Sequence, residues 1–210
     1  MAAKKAKTTA KKAATKGARK APKKSAGKAA AKTKTAAKQG SKPGSKPAAG
    51  KAAKAAATLA VGARAPKFAL AGDGGSSIAL DDFAGHKLVL YFYPKANTSG
   101  CTVEAMDFSR LKDAFAKAGT SVVGVSADSV KALDGFKEKR SLTIPLASDP
   151  ARKTLEAYGV WQEKSLYGRK FFGIVRTTFL IGPDQRIARI WPKVSVAGHA
   201  EEVLEAAKAL

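Results

Sequence analysis

Leu88-Val89-Leu90-Tyr91-Phe92-Tyr93-Pro94-Lys95-Ala96-Asn97-Thr98-Ser99-Gly100-Cys101-Thr102-Val103-Glu104 is the stretch that decides how the chain is read. Six consecutive apolar residues, 88–93, have the length of a buried strand, and Pro94 ends it. Beyond a short loop, Phe108, Leu111, Phe115 and Ala118 recur at helical spacing, and Gly119 closes that helix. Cys101 therefore stands at a strand-to-helix junction. There it meets unpaired backbone N–H groups and the positive end of a helix dipole, which favour a thiolate over a thiol. A lone cysteine is more often a small buried hydrophobe than a nucleophile. Two neighbours argue against that plainer role: Gly100 lets backbone approach a substrate closely, and Thr98 brings a hydroxyl near the thiol. Cys101 is also the only cysteine in 210 residues, so no intramolecular disulfide can form.

Working outward, the pattern alternates. Ser121–Ser126 is β-branched and strand-like, and Val130, Leu133 and Phe136 mark a second helix. Asp149-Pro150 starts a short third helix that includes Leu155 and ends near Gly159. Thr177–Ile181 and Ile187–Trp191 read as a hairpin around Pro183-Asp184-Gln185. A last helix runs from His199 to Leu210, with Val203, Leu204, Ala207 and Leu210 on one face. Such alternation predicts an α/β domain over 59–210, a central mixed sheet flanked by helices.

Residues 1–58 are of another kind. They hold 18 Lys or Arg, all lysine but Arg19, no acidic residue, and no Leu, Ile, Val, Phe, Trp or Tyr. The remaining 152 residues carry 21 basic against 16 acidic side chains, so the tail supplies +18 of the net +23 and the domain +5. With so little apolar surface to bury, the tail is expected to be disordered, and a tandem Gly-Ser-Lys-Pro repeat at 40–47 further opposes helix. Lysine clusters displace counterions from a polyanion, so nucleic acid is the partner this composition implies. The plainer role is a solubilising extension. No segment has the roughly 20 apolar residues that cross a bilayer. A secretory signal is not expected without an apolar core after the basic start, and a transit peptide is disfavoured by the scarcity of Arg. The expected location is cytoplasmic and nucleoid-associated, or nuclear in a eukaryote.

Pro94-x-x-x-Thr98-x-x-Cys101 resembles the active-site motif of the peroxiredoxins, thiol peroxidases with a thioredoxin-like fold. Tyr91-Phe92-Tyr93-Pro94-Lys95, Cys101-Thr102-x-Glu104-Ala105, Tyr158-Gly159-Val160-Trp161, Arg176-Thr177-Thr178-Phe179-Leu180-Ile181 and Gly198-His199-Ala200-Glu201-Glu202-Val203-Leu204 are similar to the bacterioferritin comigratory protein, or peroxiredoxin Q, branch. The likeness runs from about Val61 to the C-terminus. It implies that Cys101 attacks a peroxide and becomes a sulfenic acid. It also implies that Thr98 bonds the sulfur or the peroxide, that Pro94 shields the thiolate and that Arg176 supplies donors to it. Glu104 either orients Arg176 or only favours the helix N-terminus. The tail is similar in composition to linker-histone tails and to basic tails of bacterial nucleoid proteins.

Met106 departs from the pattern. Many members of the branch place a resolving cysteine five residues after the first, and methionine forms no disulfide. The resemblance then implies a one-cysteine cycle resolved by an outside thiol: thioredoxin, glutaredoxin or glutathione. No cofactor is expected. No metal is expected either, since His86 and His199 lack ligand-like spacing. A monomer is anticipated. Two readings remain open: a thiol peroxidase located by its tail, or a DNA-shielding protein carrying a weakly active peroxidase-like domain.

Overall fold

Strand Lys87–Phe92 (β3) is buried along almost its whole length, and its alternate residues feed two separate cores. Val89 and Tyr91 point into one, Leu88, Leu90 and Phe92 into the other. That is why the sequence reads as an unbroken apolar run: a strand covered on both faces needs no polar alternation. The computed structural model describes residues 59–166 and 168–210. The basic tail, with the disorder expected of it, lies outside the described residues.

Two short strands, Ala69–Gly72 (β1) and Ser77–Ala79 (β2), precede β3. After it come helices Ser99–Arg110 (α1) and Lys112–Lys117 (α2), strand Thr120–Ser126 (β4) and helix Val130–Arg140 (α3). Strand Leu146–Ser148 (β5) and helix Lys153–Ala157 (α4) follow. Strands Trp161–Leu166 (β6) and Arg169–Ile174 (β7) then form a hairpin of their own. The chain ends with strands Thr177–Ile181 (β8) and Ile187–Pro192 (β9) and helix His199–Ala209 (α5).

The main sheet has seven strands in the order β2-β1-β5-β4-β3-β8-β9. Strands β3, β4 and β5 run parallel, and β1, β2, β8 and β9 join antiparallel, so the sheet is mixed as expected. One face carries α1, α2, α3 and α5 through Ala105, Phe108, Phe115, Phe136 and Val203. The other is covered by α4, the segment entering β1 and the 3-10 turn after β2, through Leu155, Tyr158, Phe68 and Leu80. Tyr91 lies against Gly124 on the neighbouring strand. A Cβ there would stand 2.5 Å from the tyrosine oxygen, so only glycine fits.

Two expectations change, and one element goes unread. The helix expected through Phe108 and Ala118 is two helices, because Leu111 leaves the helical region at ψ 3°. Leu210 caps α5 and is exposed, whereas Val203, Leu204 and Ala207 are buried. The β6–β7 hairpin was not read from the sequence. Its Phe171 and Phe172 are exposed, so neither face shows the apolar alternation of a half-buried sheet.

Candidate active site

Tyr93 leaves the C-terminal end of β3 with its N–H still bonded to Val125 O at 3.1 Å. The loop that follows is pinned from below. Ala96 is buried, and its N–H donates to Asp128 Oδ2 at 2.7 Å. Asn97 takes φ +62°, a left-handed conformation that asparagine tolerates better than most residues. Thr98 then occupies the N-cap position of α1, with its carbonyl accepting from Thr102 N at 2.9 Å. Cys101 is thus the third residue of a twelve-residue helix, in the turn whose N–H groups have no partner within the helix.

Cys101 is buried, 1% exposed. Arg176 Nη2 donates to Cys101 Sγ at 3.2 Å. The other end of the same guanidinium donates from Nη1 to Glu104 Oε2 in a close ion pair. Glu104 sits three residues after Cys101, which places both on one face of α1. Arg176 arrives from the turn between β7 and β8. Its backbone is fixed there by Val194 N on Arg176 O at 3.0 Å and by Val175 N on Val160 O at 2.8 Å. The guanidinium bridges carboxylate and sulfur and has fixed donors aimed at both.

Electrostatics set the roles apart. Burial pushes the Glu104 carboxyl up to about 7, although Arg176 pulls the other way. Oε1 of Glu104 is buried without a hydrogen-bond partner, which is the structural origin of that cost. His199, at the start of α5, is also buried, and Nε2 lies 2.8 Å from Thr178 Oγ1. Burial above all holds its imidazole down at about 4, so the ring is neutral at pH 7. It packs edge-on to Phe108 and Trp191 and acts as core, not as a base.

The structure thus brings together Cys101, Glu104 and Arg176. Pro94 and Thr98 lie on the loop leading to them, and both are exposed. Thr98 Oγ1 donates to Lys95 O at 3.0 Å, so the hydroxyl is turned back on its own loop and not toward the sulfur. Gly100 has a reason that sequence reasoning missed. A Cβ there would lie 3.3 Å from Arg176 Nη2, so the missing side chain gives the guanidinium room above the helix turn. No residue pattern announces that, because Arg176 is 76 positions away. An apolar cavity of about 290 Å³, lined by Tyr158, Val160, Val175, Phe179 and Ile190 among others, belongs to the opposite side of the sheet from Cys101. Among the described residues no three potential metal ligands cluster, and no helix is long and apolar enough to cross a membrane.

Known proteins resemble this chain in sequence and in fold. The model of the AhpC/TSA family matches residues 61–190. The peroxiredoxin Bcp of Xanthomonas campestris is 48% identical over 136 residues, 65% of this chain and 85% of that protein. The peroxiredoxin Bcp of Bacillus subtilis is 42% identical over 151 residues, 72% and 96% of the two chains. Among solved structures, peroxiredoxin Q of X. campestris superposes with a TM-score of 0.67 at 45% identity, over 73% of this chain and 98% of that one. A cysteine-to-serine variant of Xylella fastidiosa PrxQ gives 0.70 at 41% identity, with the same coverage. The fold is therefore thioredoxin-like, as expected. The chain belongs to the AhpC/TSA family and, within it, to the Bcp/Q branch of the peroxiredoxins, which are thiol peroxidases.

Proposed function

We propose that the chain is a one-cysteine peroxidase of this branch, reducing hydrogen peroxide and organic hydroperoxides through Cys101 and drawing its electrons from a separate thiol. The observation that carries the reading is the 3.2 Å contact between Arg176 Nη2 and the sulfur of the chain's single cysteine. The Cys101 thiolate attacks one peroxide oxygen, the O–O bond breaks, and an S–O bond forms to give the sulfenic acid. The departing alkoxide or hydroxide takes a proton from solvent. Arg176, held in place by Glu104, offers donors where negative charge grows on that oxygen. Thr98 would have to release its bond to Lys95 O before its hydroxyl could serve a bound peroxide, and Pro94 restricts the loop that carries it. A solved relative from X. campestris is described by its alkyl peroxide reduction activity, which supports organic hydroperoxides as substrates.

Resolution follows from Met106. An outside thiol condenses with the sulfenic acid, releasing water and leaving a mixed disulfide. A second thiol then attacks that disulfide, regenerates Cys101 and departs as the oxidised donor. Thioredoxin, glutaredoxin and glutathione are the donor classes that fit, and the peroxidase domain is read as a monomer. The basic tail is read as a tether to nucleic acid, since it holds +18 of the net charge and no acidic residue. That would place the enzyme in the cytoplasm at the nucleoid.

The test is direct. One equivalent of hydrogen peroxide at neutral pH should make Cys101 reactive to a sulfenic-acid reagent within seconds, and Cys101→Ser should abolish peroxide turnover with the fold intact. Oxidation no faster than that of free cysteine refutes the peroxidase reading. Deleting residues 1–58 should remove DNA retention and leave turnover in free solution nearly unchanged. Retention should also fall by roughly three decades between 50 and 200 mM salt if about six phosphates are engaged. A truncated chain that still shifts DNA would put the binding surface on the domain.

A further inference from the structure

The apolar cavity on the far side of the sheet has a single charged residue in its lining. Its walls include Tyr158, Val160, Phe179 and Ile190, and its volume is about 290 Å³. That is near the lower end of small-molecule sites, ~300–1,000 Å³. The polar side chains of the lining are turned onto backbone. Tyr158 Oη donates to Pro66 O at 2.9 Å, Gln162 Nε2 to Gly159 O at 2.7 Å and Thr177 Oγ1 to Val175 O at 3.0 Å. Lys193 is the exception. It is exposed, and among the described residues no carboxylate pairs with it. Glu202, which lines the adjoining cleft with it, is taken by Arg189 at 2.8 Å and by Trp191 Nε1 at 2.7 Å.

The same cavity backs onto the segment that carries Arg176. Val175 and Thr177, its two chain neighbours, both line the cavity, and Val175 N is held by Val160 O at 2.8 Å. Lys193 sits at φ +51°, a left-handed conformation uncommon for a long side chain, and directly after it Val194 N donates to Arg176 O at 3.0 Å. The backbone that holds the guanidinium toward Cys101 is therefore also a cavity wall. A chamber with its donors already committed and one cation at its rim selects a molecule that is hydrocarbon along its body and anionic at one end. A sugar or nucleotide would bury polar groups there unpaired, and a bare alkane would leave the ammonium unused.

We propose that this cavity is a binding site for a single-chain carboxylate of the fatty-acid type, its chain along Val160, Phe179 and Ile190 and its carboxylate at Lys193, and that its occupancy is felt at Cys101 through the Val175–Thr177 wall. A bound chain packs against that wall, restrains the Arg176 backbone and steadies the guanidinium beside the sulfur. The site is separate from the one where peroxide reacts. Only its effect on Cys101 rests on the peroxidase reading.

The test uses the full chain with decanoate, decanol and decylammonium, each kept below its aggregation threshold. Binding is measured by calorimetry, alongside the melting temperature and the rate of Cys101 oxidation by hydrogen peroxide. Decanoate should bind once per chain, more tightly than the alcohol or the amine, and should raise the melting temperature. Lys193→Gln should weaken decanoate by about three- to five-fold, the worth of an exposed charge pair, and leave decanol within about two-fold. Ile190→Trp fills the chamber and should abolish binding of all three; should it melt lower, Lys193→Gln decides, since it alters only an exposed side chain. Saturating decanoate should speed oxidation by roughly five-fold, the low end of couplings between sites. Decanol binding as tightly as decanoate overturns the site, and so does decanoate binding that Lys193→Gln leaves unchanged, which is adsorption to other cations. Leu59 also lines the cavity. A ten-fold or greater rise in affinity on deleting residues 1–58 would make the chain's own preceding segment the occupant and overturn the proposal. Bound decanoate with an unchanged oxidation rate overturns the link to Arg176. A native chain that oxidises no faster than free cysteine fails the peroxidase reading, while the calorimetry still decides the site.

Discussion

Replacing Glu104 with glutamine separates its two opposed effects. The carboxyl ionises near 4.5 in an unfolded chain and near 7 in the fold, where burial outweighs the attraction of Arg176. Between those values the folded state keeps a proton that the unfolded state has released. Stability from this group is therefore fully present below about pH 4.5 and is lost as pH rises through about 7. At 1.36 kcal/mol per unit, the loss is about 3 kcal/mol, a large fraction of what holds a domain of this size together. Glutamine does not titrate, and its amide oxygen still accepts from the Arg176 guanidinium. Urea denaturation of both chains at pH 5 and pH 8 should show the native chain losing about 2–3 kcal/mol more than Glu104→Gln over that interval. Peroxide turnover should fall only several-fold, since the arginine stays within reach of the sulfur. A stability difference between the two chains that is the same at both pH values would refute the reasoning. It would mean that the ion pair, not burial, governs the carboxyl.

Arg176→Lys should lose most of the peroxidase activity, because one ammonium cannot bond Glu104 and the sulfur with the fixed donors of a guanidinium; steady-state turnover checks it, and near-native rates would make Arg176 structural. Gly100→Ala should raise the melting temperature and slow Cys101 oxidation. Alanine favours the first turn of α1 by about 0.5–1 kcal/mol, while its Cβ would crowd Arg176 Nη2 at 3.3 Å. Met106→Cys should form an intramolecular disulfide with Cys101 only after peroxide, and only as α1 unwinds. Five residues of helix rise about 7.5 Å, beyond the ordinary Cα–Cα span of a disulfide. Mass spectrometry should find the bond and far-ultraviolet dichroism a loss of helix, whereas sulfinic acid alone at Cys101 would count against it.

Much of this was legible in the sequence, and the failures have physical causes. Strand β3 announces itself because both its faces are buried. Cys101, Glu104 and Arg176 could be named because each falls in a dense, recognisable motif. Strands β1, β2 and β5 have four, three and three residues, too few to show a period. The break at Leu111 is invisible because the apolar stripe of α1 continues in phase into α2. The hairpin β6–β7 escapes because Phe171 and Phe172 stay exposed while Lys164 turns inward, the reverse of what composition suggests. The place of Gly100 beneath Arg176 comes from topology, which no local spacing encodes.

The sulfur of Cys101 is almost wholly shielded, in a first helical turn tied down by the Ala96–Asp128 and Arg176–Glu104 contacts. A peroxide is small enough to enter such a site, but a protein thiol is not. If the proposed donor is a protein thiol, its half-reaction would be gated by spontaneous opening of that turn. Raising the donor concentration should drive turnover to a plateau equal to the opening rate. A half-saturation value measured that way would describe how often the helix breathes, not how tightly the donor docks.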